Sequence, residues 1–126
     1  MPLVHIHMRA GKSEAYKQAI FDSLYQALHQ TYTVPEDDEF MTLTEHEQAS
    51  FRYSRRYLGV TRSDDLVLVQ ITVSNTRRLE QKKALFSRAT ELLGQSPGLR
   101  PEDVFINLVE VGKENWSMGM GVATYV

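Results

Sequence analysis

The chain has 126 residues, 42% of them apolar, which suits one compact core or two small fused repeats. Its formal net charge of −2 lacks the excess of positive charge typical of nucleic-acid binding. The absence of cysteine excludes disulfides, a thiolate nucleophile and cysteine-ligated metal. No apolar run reaches the length of a membrane span, and the first residues lack the apolar stretch of a signal peptide. We therefore expect a globular cytoplasmic protein that binds neither nucleic acid nor membrane.

The first predicted element is a strand over residues 2–8, because its side chains alternate with a period of two. One face carries Leu3, His5 and His7, and the other carries Val4, Ile6 and Met8. Pro2 directly follows Met1, and the initiator methionine is normally removed when so small a residue follows it. Removal leaves Pro2 with a free secondary amine, which is a base or nucleophile when neutral and an acid when protonated.

Two segments have the apolar spacing of amphipathic helices. The first covers residues 13–32, where Ser13 is suited to cap the start. The second covers residues 77–95 and ends near Gly94, before a Pro-Gly pair. Its predicted inner stripe is Leu79, Lys82, Leu85, Phe86, Ala89, Leu92 and Leu93.

Further strands are predicted from alternation and β-branched content. They cover residues 40–45, 66–73 and 103–111, with a short terminal strand over 122–126. The polar stretch 47–65 is predicted to form a hairpin arm. Residues 66–73 are nearly continuously apolar, which is typical of a central strand covered on both faces.

The two halves of the chain repeat, since Pro35 and Pro101 each end a connection from a helix to a strand. We therefore predict a single α/β domain over residues 1–126, built of two fused β-α-β units at about 1–60 and 61–126. Such a sheet has four strands backed by two helices, so one face stays uncovered.

The apolar residues of the central strand bear on what covers that face. Leu68, Ile71 and Val73 favour burial on both sides of the sheet. A partner subunit is therefore expected on the side that the helices leave open.

Several short motifs occur in a characteristic order. They are Pro2-Leu3; Val34-Pro35 with Asp38, Thr42 and His46; Arg62-Ser63-Asp64-Asp65; Arg77 with Glu80-Gln81-Lys82; Arg100-Pro101-Glu102-Asp103-Val104-Phe105-Ile106; and Glu114-Asn115-Trp116-Ser117. Together they resemble the tautomerase superfamily, and within it the malonate semialdehyde decarboxylase-like branch, over essentially the whole chain. The resemblance implies a homotrimer of fused β-α-β chains, no cofactor or metal, and carbon-acid chemistry on small oxo acids.

The resemblance also implies roles for single residues. Pro2 carries the reacting amine, Asp38 polarises that amine and orients a water, and Arg77 binds the carboxylate of the substrate. The decarboxylase pattern has a second arginine where this chain has Asn75. In the short isomerases an arginine occupies the place of Lys12, and lysine lacks the planar two-pronged fit of a guanidinium.

Substrate contacts are also expected from Asn75 and from an apolar wall of Trp116 and Met118. Arg78, Lys12 and His7 are open alternatives for further pocket residues. The spacing of His5 and His7 is compatible with metal binding, but no third ligand is placed by sequence, so packing or pocket lining is expected.

The charge of Pro2 decides between two reactions, since an α-amino group ordinarily titrates at about 7.7 to 8.0. The apolar wall favours the neutral base and Asp38 favours the cation, and both alternatives stay open. A base gives tautomerisation of 2-oxo enols, and a cation gives decarboxylation of 3-oxo acids. A non-catalytic oligomeric binding protein of the same fold is the third alternative.

Overall fold

The structure is a computed structural model that describes residues 1–126. Its long elements are β1 (Leu3–Arg9), α1 (Glu14–Tyr32), β2 (Met41–His46), β3 (Val67–Ser74), α2 (Leu79–Gln95) and β4 (Val104–Val111). The four strands form one sheet in the order β2-β1-β3-β4. β1 and β2 are parallel, as are β3 and β4, while β1 and β3 are antiparallel. The predicted four-stranded α/β sheet with two β-α-β crossovers is therefore confirmed.

The core lies between the two helices and one face of the sheet. The side chains that β1 and β3 point towards the helices are almost fully buried: Val4, Ile6, Met8, Val67, Val69, Ile71 and Val73. The helices contribute mainly Ile20, Leu24, Ala27, Leu28, Leu85, Ala89, Leu92 and Leu93. Each large side chain buried in this way stabilises the fold by roughly 1.5–3 kcal/mol relative to exposure.

Strand pairing brings four chain segments to one edge of the sheet. The start of β1 pairs with the end of β3 through Leu3 and Thr72, because these strands are antiparallel. The backbone N–H of Val4 also bonds to the carbonyl of Phe40, just before β2. β4 ends beside the end of β3, where Ser74 pairs with Val111. The first residues of the chain therefore meet the α1–β2 turn, the β3–α2 turn and the segment after β4.

The inner stripe predicted for α2 is wrong at two positions. The side chains of Leu79 and Phe86 are 60% and 37% exposed, whereas Leu85, Ala89, Leu92 and Leu93 are buried. Leu79 is the first residue of the helix. The helical spacing of apolar residues identifies α2, but it does not show which of those residues are buried and which stay exposed.

The hairpin arm predicted over residues 47–65 contains no strands. In place of strands, the segment has two short 3₁₀ turns, Gln48–Ser50 and Tyr57–Gly59. One backbone hydrogen bond, from the N–H of Arg62 to the carbonyl of Arg55, crosses the segment. The Oδ1 atom of Asp64 accepts bonds of 2.7 Å from both Tyr53 and Arg55. Side-chain bonds thus hold this segment in place of a strand ladder.

The terminal strand predicted over 122–126 is also wrong. This stretch folds back as a loop, in which the N–H of Thr124 donates to the carbonyl of Trp116 at 3.0 Å.

None of the helices combines the length and hydropathy of a membrane-crossing segment.

The face of β3 away from the helices is less apolar than predicted. Ile71 and Val73, which were expected to contribute to this face, both point into the helix-covered core. On the open face itself, Gln70 is exposed and Leu68 is only half-buried. Exposed apolar side chains on this open face come instead from Leu3, Phe105 and Val109.

A histidine pair lies on the open face. The Nδ1 atom of His7 is 2.8 Å from the Nε2 atom of His46, which β2 places beside β1. Burial lowers the pKa of His7, and the neighbouring His46 and His5 lower it further.

His7 should make stability fall in mild acid. Its pKa in the folded state lies below the ordinary 6.5, so the unfolded chain binds more protons as pH drops below that value. The free energy of unfolding therefore decreases from about pH 6.5 downwards. In urea unfolding at one fixed protein concentration, His7→Gln should show a shallower decline between about pH 6.5 and 5 than the unmodified protein. Equal declines would rule out this role for His7.

Candidate active site

The amino group at the start of the chain is held by three side chains. Both carboxylate oxygens of Asp38 accept from the Met1 nitrogen at 3.0 Å, and the Tyr125 hydroxyl oxygen lies 2.9 Å away. The sulfur of Met118 is 3.6 Å from the same nitrogen. Asp38 is only 17% exposed, so its charge acts in a partly desolvated place.

The acidic turn between α1 and β2 places Asp38 at this position. Thr33 ends α1 in the left-handed conformation, and Asp37 has a positive φ of 71°. The N–H of Asp38 donates to the carbonyl of Pro35 at 3.2 Å. The turn thereby directs one acidic side chain towards the first strand.

An apolar cavity of about 470 Å³ lies on one side of the amino group, within the range of small-molecule sites. Pro2 is buried and lines this cavity together with Trp116 and Met118. The indole Nε1 of Trp116 donates to the hydroxyl of Ser74 at 3.1 Å, which fixes the ring. The remaining lining residues are Leu3, Phe40, Thr72, Val111, Asn115 and Ser117.

A polar cavity of about 330 Å³ lies on the other side, lined by Met1, Asp38, Arg77, Lys113 and Tyr125 among others. The guanidinium of Arg77 donates to the carbonyl of Tyr32 at 2.7 Å and to the hydroxyl of Thr76 at 2.6 Å.

The same guanidinium of Arg77 lies 5.2 Å from the centre of the Tyr32 ring. Since a guanidinium has five N–H groups, donors remain for a ligand after the group has been oriented. This cavity can therefore bind a carboxylate next to the amino group.

Five of the six residues predicted for the site line these two adjoining cavities: Pro2, Asp38, Arg77, Trp116 and Met118. Asn75 is different, because it is exposed and lines neither cavity. Its backbone N–H donates to the carbonyl of Val111 at 3.0 Å. A substrate contact by the Asn75 side chain remains a prediction.

The three open alternatives lie elsewhere. Lys12 forms an ion pair of 2.7 Å with Asp65, Arg78 is exposed just before α2, and His7 lies in the pair on the open sheet face. None of them lines either cavity.

Tyr125 and Lys113 were missed by sequence reasoning. Lys113 begins a 3₁₀ turn after β4, and Tyr125 belongs to the stretch predicted as a strand. No motif marks either residue. Only the return of the terminal loop onto Trp116 brings Tyr125 to the amino group.

No group of three or more His, Cys, Asp or Glu side chains is arranged to hold a metal ion. The chemistry available from the chain is that of an amine, a carboxylate, a phenol and two cationic side chains around an apolar wall.

The sequence matches known proteins over its full length. Residues 38–119 match the family model described as Tautomerase enzyme. The chain is 38% identical to "Probable tautomerase YusQ" of Bacillus subtilis (strain 168), over 100% of this chain and 99% of that protein. It is 25% identical to "Probable tautomerase YrdN" of the same strain, over 100% of this chain and 97% of that protein.

Solved structures share the fold. A malonate semialdehyde decarboxylase, described with decarboxylase and hydratase activities, superposes with a TM-score of 0.91 at 28% identity, covering 98% of this chain and 95% of that one. The FG41 malonate semialdehyde decarboxylase inhibited by 3-bromopropiolate superposes with a TM-score of 0.91 at 31% identity, covering 98% of this chain and 93% of that one. A fused 4-OT described as a symmetric trimer superposes with a TM-score of 0.80 at 23% identity, covering 98% of this chain and 97% of that one. At this identity the similarity shows a shared fold alone.

Proposed function

Because the chain belongs to the tautomerase family, in its malonate semialdehyde decarboxylase-like branch, we propose that it is a cofactor-independent enzyme for small oxo acids, with the Pro2 amine as proton carrier. Removal of Met1 creates that amine. The observation that carries the proposal is the place of the chain start: Pro2 lines the apolar cavity, and the Met1 nitrogen next to it contacts Asp38 in the adjoining cationic cavity. An amine so placed can exchange protons with a substrate whose carboxylate is bound beside it.

The proposed tautomerisation starts from the enol of a 2-oxo acid. Arg77 and Lys113 bind the carboxylate, while Trp116 packs against the carbon chain. The neutral Pro2 amine takes the proton of the enol hydroxyl, the C–O bond becomes C=O, and the ammonium delivers a proton to the adjacent carbon as the C=C bond is lost. Asp38 stabilises the ammonium between the two steps.

Decarboxylation of a 3-oxo acid is the runner-up, and the decarboxylase neighbours favour it. In that reaction the protonated amine polarises the oxo group, and electrons from the departing carboxylate reach that oxygen. Here Asn75 replaces one arginine of the decarboxylase pattern. Lys113 supplies another positive charge, but a point charge does not orient a carboxylate as a second guanidinium does.

We therefore predict that tautomerisation of 2-oxo enols is faster than decarboxylation of malonate semialdehyde. The test is an assay panel of 2-oxo enols and 3-oxo acids on protein whose intact mass shows the absence of Met1. Asn75→Arg should shift the ratio towards decarboxylation. Efficient decarboxylation by the unmodified protein with negligible enol turnover would reverse the ranking, and no turnover of either class would favour a binding protein.

A homotrimer is the proposed assembly, supported by the open sheet face with exposed Leu3, Phe105 and Val109. The fused 4-OT neighbours described as trimers support the same arrangement. Light scattering should give three times the mass of the chain at micromolar concentration. A stable monomer under these conditions would exclude the trimer.

A further inference from the structure

The two fused β-α-β units repeat in the register of their parallel strand pairs. Val4 of β1 pairs with Met41 of β2 in the first unit, and Val69 of β3 pairs with Ile106 of β4 in the second. The separation in sequence between Val4 and Val69 is the same as between Met41 and Ile106. The second unit therefore has its own copy of the strand ends that border the apolar cavity in the first.

A third cavity, of about 210 Å³, lies at these strand ends of the second unit. Leu68 lines it in the place that Leu3 has in the apolar cavity beside the chain start. Phe105 likewise takes the place of Phe40, and both substitutions follow the separation of the strand pairs. We call this space the repeat cavity, and its other lining residues are Arg52, Tyr53, Ser54, Tyr57, Arg62 and Leu66.

Two arginines give the repeat cavity its charge. The Nη1 atom of Arg62 donates to the carbonyls of Ser54, Tyr57 and Val60 at 3.1–3.4 Å, while its other nitrogens make no hydrogen bond with the chain. Arg52 is exposed and belongs to none of the ion pairs of this segment. A guanidinium fixed at one nitrogen keeps donors for an anionic ligand, and it fits the planar geometry of a carboxylate.

The two acidic residues just before β3 do not oppose an anion in this cavity. Asp64 forms ion pairs with Arg9 at 2.9 Å and with Arg55 at 2.7 Å. Asp65 forms an ion pair of 2.7 Å with Lys12. Because both carboxylates are paired with other cations, the positive charge that lines the repeat cavity is left for a ligand.

The repeat cavity lacks the reacting group of the active site. Asp103 takes the place of Asp38 in the repeat, is fully buried, and accepts from the backbone N–H and the hydroxyl of Ser63 at 2.7 and 2.6 Å. A peptide N–H is neither a useful base nor an acid near neutral pH, unlike an α-amino group. A ligand in the repeat cavity is therefore bound without being turned over.

We propose that the repeat cavity is a second, non-catalytic binding site for a small carboxylate with a compact apolar body. The carboxylate binds the guanidinium groups of Arg52 and Arg62, and the apolar body packs against Leu68 and Phe105. The cavity of about 210 Å³ takes a smaller ligand than the apolar cavity of about 470 Å³. This inference does not depend on the reaction proposed above, because binding here does not involve the Pro2 amine.

The experiment follows the leucine methyl signals by NMR while benzoate is added to the unmodified protein. Leu68 reports on the repeat cavity and Leu3 on the apolar cavity, and benzoate is neither an enol nor an oxo acid, so it is not consumed. The variant is Arg52→Ala, and its matched control is Arg56→Ala, an exposed arginine of the same segment that lines none of these cavities. Arg77→Ala removes the guanidinium of the active site, and acetate is the second probe.

Benzoate should shift the Leu68 signals, and Arg52→Ala should raise the Kd from this titration about tenfold, since it removes a charge-assisted hydrogen bond. Arg56→Ala and Arg77→Ala should leave the Leu68 titration unchanged. Acetate should bind about tenfold more weakly than benzoate, because it lacks the ring that the apolar wall removes from water.

The inference is overturned if Leu68 does not respond, or if Arg52→Ala and Arg56→Ala raise Kd equally or not at all. Loss of the Leu68 response in Arg77→Ala would also overturn it, since the shift would then come from binding at the active site. Equal affinity for acetate and benzoate would overturn the apolar contact and with it the proposed ligand class. Leu3 signals that do not respond would count against carboxylate binding in the active site and leave this inference standing.

Discussion

Replacement of Arg77 by alanine should raise KM for oxo acids on the order of 10- to 100-fold and lower kcat as well. Charge-assisted hydrogen bonds to a carboxylate contribute about 1.5–3 kcal/mol, which corresponds to that range. The kcat effect follows because the guanidinium, oriented by Tyr32 and Thr76, also positions the substrate against the amine. Steady-state kinetics with a 2-oxo enol measure both constants.

Two further variants make the Arg77 experiment specific. Arg78→Ala removes a neighbouring exposed guanidinium that lines neither cavity, so its constants should match those of the unmodified protein. Arg77→Lys keeps the charge but loses the planar, two-pronged shape of the guanidinium. Its KM and kcat should therefore lie between those of Arg77→Ala and those of the unmodified protein. An unchanged KM in Arg77→Ala, or an equal increase in Arg78→Ala, would show that the carboxylate binds elsewhere.

The sequence was sufficient for the regular elements because their side-chain periods are strong. The alternation around Val4 and Ile6 and the helical spacing around Leu24 and Leu85 correspond to buried faces in the structure. Segments without a period were predicted less well. The stretch 47–65 is held by bonds to Asp64, and 122–126 by bonds to Trp116 and Met118, so neither has a repeating pattern to recognise.

The same distinction applies to the site. The resemblance indicated Asp38 and Arg77, and strand pairing explains why residues far apart in sequence meet at one sheet edge. Tyr125 reaches the amine only through the fold of a loop, and His46 meets His7 only through the pairing of β1 with β2. Such contacts depend on tertiary geometry, which no local pattern in the sequence encodes.

The central claim is that a free Pro2 amine performs the chemistry. With Met1 present, the Pro2 nitrogen is an amide, and the Met1 ammonium occupies the position between Asp38 and Tyr125. An amide nitrogen is neither a useful base nor an acid near neutral pH, and Met1 also lines the polar cavity in which the carboxylate of the substrate is proposed to bind. Both effects should abolish turnover while the fold is unchanged.

The most direct measurement compares two samples of the same sequence, one retaining Met1 and one lacking it after aminopeptidase treatment, each verified by intact mass. We predict that kcat/KM for a 2-oxo enol is at least about 100-fold higher without Met1, since general acid–base catalysis contributes roughly 10²–10⁴-fold. Circular dichroism should show the same folded structure in both samples. Equal kcat/KM values in the two samples would contradict the role of the Pro2 amine.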